Sequence, residues 1–224
     1  RLNGLGKWPL AVDEYYIAQS VQNILDTGLP QFKTGGYYVR GILYQYVAAP
    51  LVYASENDEF WLRLIAVVCN LAAMPAVFLI GRKIWGMTGG CLCLILFSLS
   101  LWEIEFSRFA RMYTMFQAIF LWYTYLLIKL VTEDRTDLKK FLYGLSFISI
   151  LVYEGAIFLI TLNFYMLLLL RPRLVKKDIW IAVGILLVAC LYLQTDFRRF
   201  SEESALPKGF ADTINSTSPL HLPK

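Results

Sequence analysis

Charge is what this chain has little of. Only 17% of its 224 residues are Asp, Glu, Lys or Arg, while 58% are hydrophobic; a soluble domain carries about 25% charged residues. With a mean hydropathy of +0.53, that shortfall excludes an ordinary water-soluble domain. Histidine is scarcer still. The single copy, His221, lies in a polar tail, which excludes histidine-based catalysis or metal binding within the apolar part of the chain. The four cysteines, Cys69, Cys91, Cys93 and Cys190, all sit in apolar runs and read as small buried hydrophobes, not as a disulfide framework or a zinc site. A strong net charge is missing too. The formal balance is +4, and the basic residues lie between apolar segments, where the positive-inside rule accounts for them; nucleic acid is not an expected partner. The sequence opens on Arg1 with neither an initiator Met nor a signal sequence, and a longer parent chain is expected.

What the sequence does have is a series of apolar stretches approaching the ~20 residues needed to cross a bilayer. The expected fold is an all-α polytopic membrane protein with about six transmembrane helices and extracytoplasmic juxtamembrane helices. Three regions follow. Residues 1–60 form an extracytoplasmic loop with amphipathic juxtamembrane helices, 61–195 a transmembrane helical core, and 196–224 an extracytoplasmic polar tail. Spans are expected at about 61–81, 88–107, 112–130 and 179–195. The stretch 141–170 is too long for one span and is broken at Glu154-Gly155, which predicts two short helices meeting at a tight turn. Residues 41–55 are too short to cross and, with three tyrosines and Pro50, suit a helix lying at the interface.

Arg82-Lys83, Arg135 with Lys139 and Lys140, and Arg171, Arg173, Lys176 and Lys177 fall at every second boundary, which makes those loops cytoplasmic. Asp13, Glu14, Arg40, Arg63, Glu105, Arg108, Arg111 and Glu154 then converge on the opposite face. An ionised group costs about 2.5–3.5 kcal/mol at mid-membrane and less near the interface, so such groups pair or line a wet cavity. Asp13 and Glu14 open an amphipathic helix over 11–28, with Ile17, Val21, Ile24 and Leu25 at helical spacing and Gly28 as its stop. Acidic residues in a first turn also complement the helix dipole, so structural and chemical readings both stand. Spacing places Glu105 and Arg108 on one helix face. Arginine suits a lipid phosphate, because its planar fork donates bidentate bonds and keeps its charge in apolar surroundings.

In order, the chain reads Asp13-Glu14 at the start of the first external helix, Gly-Gly-Tyr-Tyr-Val-Arg-Gly (35–41), Glu-Phe-Trp-Leu-Arg-Leu (59–64), Gly-Arg-Lys-Ile-Trp-Gly (81–86) and Ser-Arg-Phe-Ala-Arg-Met-Tyr (107–113). This series resembles the C-type (GT-C) integral-membrane glycosyltransferases, nearest the protein O-mannosyltransferase and aminoarabinose transferase superfamily. The resemblance implies a GT-C-type core that moves a sugar from a polyprenyl-phosphate donor to a lipid, glycan or protein acceptor on the extracytoplasmic side, by inverting single displacement. It also implies Asp13 as the catalytic acidic residue with Glu14 beside it, and Arg40, Arg108 and Arg111 as donor-phosphate ligands. Glu105, Glu154, Tyr113 and Arg63 are expected as supports that orient sugar, arginine or a divalent ion, the only cofactor in view. The chain departs from the aminoarabinose branch at Tyr16, where that branch has arginine, at Arg40-Gly41-Ile42, where it has Lys-Pro-Pro, at Tyr113, where it has an acid, and at Glu154, where it has lysine. Neither sugar nor acceptor carries over. A bacterial inner membrane with an outward-facing site is the expected location, and membrane lipid the expected surroundings.

Two rivals stand beside this reading. A transporter or flippase for lipid-linked sugars would use the same arginines but needs charged groups along the spans, and no charged path is evident in the sequence. A non-catalytic scaffold would be indifferent to Asp13→Asn.

Overall fold

The structure is a computed structural model that describes residues 1–7, 9–32, 36–54, 58–169 and 176–203, with 58, 169, 193 and 195–203 as backbone alone. The described residues are helical and contain no strand; the one strand-like contact is an isolated bridge between Gln31 and Tyr37. Eight α-helices run in order: α1 (Val12–Thr27), α2 (Ile42–Tyr53), α3 (Asp58–Leu99), α4 (Leu101–Phe106), α5 (Tyr113–Glu133), α6 (Lys139–Ile150), α7 (Ala156–Leu169) and α8 (Lys176–Glu203). A short 3-10 turn, Thr136–Leu138, leads into α6.

α1 forms where its periodicity places it. Glu14, Ile17, Ser20, Val21 and Ile24 are its buried residues, and Gly28 closes it at φ 78°, a left-handed cap that only glycine adopts without strain. α3 is the element that departs most from a straight rod. Its backbone leaves helical geometry at Trp85 and Gly86, where Gly86 takes φ 71° and ψ −165°, and the chain reverses there. Gly81 and Cys93 would lie about 18 Å apart along a continuous helix, yet a Cβ on Gly81 would stand 2.8 Å from Cys93 Sγ and 2.8 Å from the Gly89 carbonyl oxygen. Farther from the turn Ser98 Oγ reaches Met74 Sδ at 4.0 Å. α3 is therefore a helical hairpin whose limbs touch through glycine.

Among the described residues two helices are long and apolar enough to cross a membrane, Glu59–Leu99 and Tyr113–Glu133. The expectation of about six spans is corrected on this point. The stretches expected as separate spans at 61–81 and 88–107 are the two limbs of α3, and the second limb ends at Leu99, after only about 20 Å of helix against a hydrocarbon thickness near 30 Å. α6 and α7 have 12 and 14 residues, and α8 opens on Lys176, Lys177 and Asp178. The break between α6 and α7 does fall at Glu154-Gly155, as the sequence predicts, and α2 is too short to cross. The expected boundary between core and tail near 195 lies inside α8, which continues to Glu203. Gly35 of the second motif, Arg171, Arg173 and residues 204–224, His221 included, lie outside the described residues.

Packing makes two cores. Ile17, Val21, Tyr44, Ala48, Leu62, Ala110 and Val152 join α1, α2, the start of α3, the 107–112 turn and the turn that follows α6. Tyr123, Leu142, Leu159, Met166 and Ile185 join α5 to α8. Ion pairs Lys83–Glu133 at 2.7 Å and Lys139–Asp178 at 2.9 Å tie the basic loops together at the other end. The charge asymmetry read from the sequence is thus a two-ended molecule.

Because Gly81 lies against backbone, Gly81→Ala should destabilise the fold by about 1–3 kcal/mol through overpacking. Gly144 is exposed on α6 with nothing within 4 Å of a Cβ, so Gly144→Ala should stabilise by about 0.5–1 kcal/mol. Melting temperatures of the two variants in detergent should move in opposite directions; matching shifts would disprove the close approach.

Candidate functional site

Glu14 sits at the centre of the first core with no solvent exposure. Its Oε1 accepts from Arg63 Nε at 2.9 Å and from the Ala110 amide at 2.6 Å; its Oε2 accepts from Arg63 Nη2 at 2.7 Å and from the Ala11 amide at 2.9 Å. Arg63 in turn donates to the carbonyls of Leu5 at 2.9 Å and Pro9 at 3.1 Å. The bond to Ala11 is half of a capping box, a glutamate at the third helical position reaching back to the N-cap amide. Burial pushes the Glu14 carboxyl up, but Arg63 and the amides of Ala110 and Ala11 outweigh it and hold the group below its ordinary value of 4.5. Expected beside Asp13 as catalytic, Glu14 has no oxygen open to a substrate.

Asp13 faces the other way. Its side chain is 69% exposed, and Arg111 Nη1, on a side chain only 9% exposed, lies 3.2 Å from its Oδ2. Arg111 Nη1 also meets the Asp13 carbonyl at 3.3 Å, and Nη2 donates to the Tyr113 hydroxyl at 2.9 Å. Arg111 Nε is buried without a partner. Asp13, Arg111 and Tyr113 line an open cleft of about 490 Å³ together with Ala11, Val12, Phe106 and Phe109. An aromatic row continues from it: Trp102 stacks on Phe106 with centroids 5.6 Å apart, Phe106 meets Tyr113 at 6.2 Å, and Tyr113 meets Tyr153 at 5.4 Å.

A second pair stands nearby. Arg40 Nε lies 2.7 Å from Glu154 Oε1, and the Leu43 amide donates to the Leu151 carbonyl at 3.0 Å, so the strand of chain entering α2 is fastened to the α6–α7 turn. Tyr192 Oη donates to the Val39 carbonyl and brings α8 to the same place. Tyr38 lies between the pairs; burial raises its pKa, against the pull of Arg111 and Arg40, so it stands protonated.

The structure brings Asp13, Arg111 and Tyr113 together, Glu14 with Arg63, and Arg40 with Glu154. The Glu105–Arg108 pair expected from spacing does not form. α4 ends at Phe106 and residues 107–112 form turns instead of continuing the helix; Arg108 turns to the Asn3 carbonyl at 3.0 Å and Glu105 stays exposed. Sequence reading missed Glu103. Its Oε2 accepts from Asn70 Nδ2 at 2.9 Å and its Oε1 from Gln117 Nε2 at 2.7 Å. The signal was there in an acidic residue within an apolar run, two places before the acid that was chosen. Among the described residues no three His, Cys, Asp or Glu side chains are grouped to hold a metal ion. Comparison of the chain with protein-family models, with curated proteins and with solved structures gives no match in any of the three.

Removing one partner of a buried ion pair strands the other, a loss of roughly 3–5 kcal/mol. Arg63→Met should therefore lower the melting temperature sharply, and the double variant Glu14→Met/Arg63→Met should recover part of the loss. Glu14 is ionised in the fold and its pKa is depressed, so its contribution is present above 4.5 and is lost as the pH falls through the lowered value. The wild-type melting temperature should fall on acidification below pH 4.5, and Glu14→Gln should show a smaller fall; an identical acid profile in both would exclude this role.

Proposed function

We propose that this chain is a membrane-embedded GT-C-type glycosyltransferase, whose extracytoplasmic site moves a sugar from a polyprenyl-phosphate donor to an acceptor hydroxyl. The observation that carries the reading is the pairing of exposed Asp13 with buried Arg111 at the mouth of an aromatic cleft. Asp13 is the base that takes the acceptor proton as the oxygen attacks the anomeric carbon. Arg111, held ready by Tyr113, together with Arg40 and Arg108 meets the charge that develops on the leaving phosphate. A lipid phosphate leaves readily, so no separate acid is required. Glu14 and Arg63 act through position: the Ala110 amide bonded to Glu14 lies next to Arg111, and Glu14 adjoins Asp13. Membrane embedding is supported by the exposed apolar side chains of α3 and its continuation, Leu92, Leu96, Leu99, Leu101 and Trp102 among them, which water would solvate poorly. With the basic loops gathered at the opposite end, the positive-inside rule turns the cleft outward, and a bacterial inner membrane is the setting proposed.

One observation favours the transporter reading. Asn70 lies seven residues beyond Arg63 on α3, about 10 Å deeper, and Glu103 meets it there, a carboxylate of the kind a path through the spans requires.

The decisive measurement is sugar release from a panel of radiolabelled polyprenyl-phosphate sugars by the purified full-length protein. Asp13→Asn, melting like the wild type, should lose about 10²–10⁴-fold in rate, and Arg111→Ala should lose activity as well. Donor that crosses vesicles unhydrolysed would favour transport, and a fully active Asp13→Asn protein would sink the assignment of the base.

A further inference from the structure

Among the described residues, Glu103 is a carboxylate that no basic side chain touches. It is the third residue of α4, and its amide donates to Ser100 Oγ at the N-cap at 3.4 Å. In a Ser-x-x-Glu cap the glutamate normally turns back on the cap amide. Here its side chain reaches instead to Asn70 on α3 and Gln117 on α5, so both oxygens meet neutral amides. A half-buried carboxylate held only by neutral groups leaves a negative charge that a cation can match. Asn70 is fully buried, and its Oδ1 has no partner. A half-turn of an amide group exchanges its oxygen and nitrogen. Asn70 Oδ1 and Gln117 Oε1 can therefore be brought to the positions from which their nitrogens now face the carboxylate.

We propose that Asn70, Glu103 and Gln117 form a binding site for a small alkali cation, sodium or potassium. The ligands are all oxygen, as hard cations prefer. One carboxylate with neutral amide oxygens balances a single positive charge, whereas a divalent ion would leave a charge over. Because the ligands come from three helices, the bound cation fastens the α3 hairpin and α4 to α5. The inference does not depend on the glycosyl-transfer reading.

The test is thermal melting of the full chain in detergent, with NaCl or KCl titrated against choline chloride at fixed ionic strength. The melting temperature should rise saturably by several degrees with sodium or potassium and not with choline. Glu103→Gln keeps the side chain's size and removes its charge, and should flatten the response; Lys83→Gln, at the other end of the molecule, should keep it. An unresponsive wild type, or the same response in Glu103→Gln, overturns the proposal. A response to pH alone that vanishes in Glu103→Gln names a proton as the occupant and also overturns it. Should Glu103→Gln fail to fold, saturable binding of radioactive sodium to the wild type, reduced in Asn70→Leu, supports the site, and its absence in the wild type excludes it.

Discussion

Everything at the charged end of this molecule depends on one buried ion pair. Glu14 and Arg63 lie on different helices, and between them they hold the 1–11 segment through Leu5, Pro9 and Ala11 and the 107–112 turn through Ala110. A buried pair gives little net stability against an apolar replacement, because desolvation offsets most of the attraction. Its value here is geometric. Three regions distant in sequence, the N-terminal segment with α1, the start of α3 and the 107–112 turn, meet at this pair, and each satisfies a polar group that would otherwise be stranded. Arg111 and Asp13 inherit their relative position from that arrangement.

The cleft is the consequence. Arg111 is buried by the same turn whose Ala110 amide Glu14 fixes, and its guanidinium emerges between Tyr113 and Asp13. A guanidinium kept from water and only partly matched is a stronger partner for an arriving anion than one on an open surface, because the local dielectric is lower and no reorganisation is needed. Phe106, Phe109 and Tyr113 give the same cleft an apolar wall, and Trp102 and Tyr153 extend its aromatic contacts on either side. A ligand with a charged head and an apolar tail fits that combination better than a wholly polar one.

Much of this was legible in the residues. The periodicity of Ile17, Val21 and Ile24 and the stop at Gly28 located α1, and the alternation of basic loops predicted that Asp13, Arg40, Arg63, Arg111 and Glu154 would share one end. The Arg40–Glu154 contact joins two of the charges that this alternation places at one end. What composition could not convey was where helices end. The reversal at Trp85 and Gly86 falls in the break expected between the stretches 61–81 and 88–107, beside Arg82-Lys83, but nothing in the residues marked Leu99 as the end of the second limb, short of the length needed to cross. The Glu105–Arg108 spacing assumed a helix that stops at Phe106. Glu103 stands out in the sequence only as an acid in an apolar run, because its partners Asn70 and Gln117 are neutral and distant in sequence.

The adjacency of Asp13 and Glu14 now has a physical account. Consecutive residues on a helix project about 100° apart, so at the edge of the packed face one of two neighbouring acids can point inward while the other stays at the surface. Glu14 falls on the face with Ile17 and Val21 and is drawn inward to Arg63; Asp13 is left at the rim. The longer glutamate is the one that suits the inward place, because from the third helical position it can return to the Ala11 amide while still reaching Arg63. An aspartate at 14, shorter by one methylene, would surrender one of these contacts. The shorter acid at 13 keeps its carboxylate close to the backbone, where Arg111 grips both its Oδ2 and its carbonyl. The two acids therefore divide the work, one fixing the frame and the other presenting a charge to the cleft, and exchanging them would lose both roles.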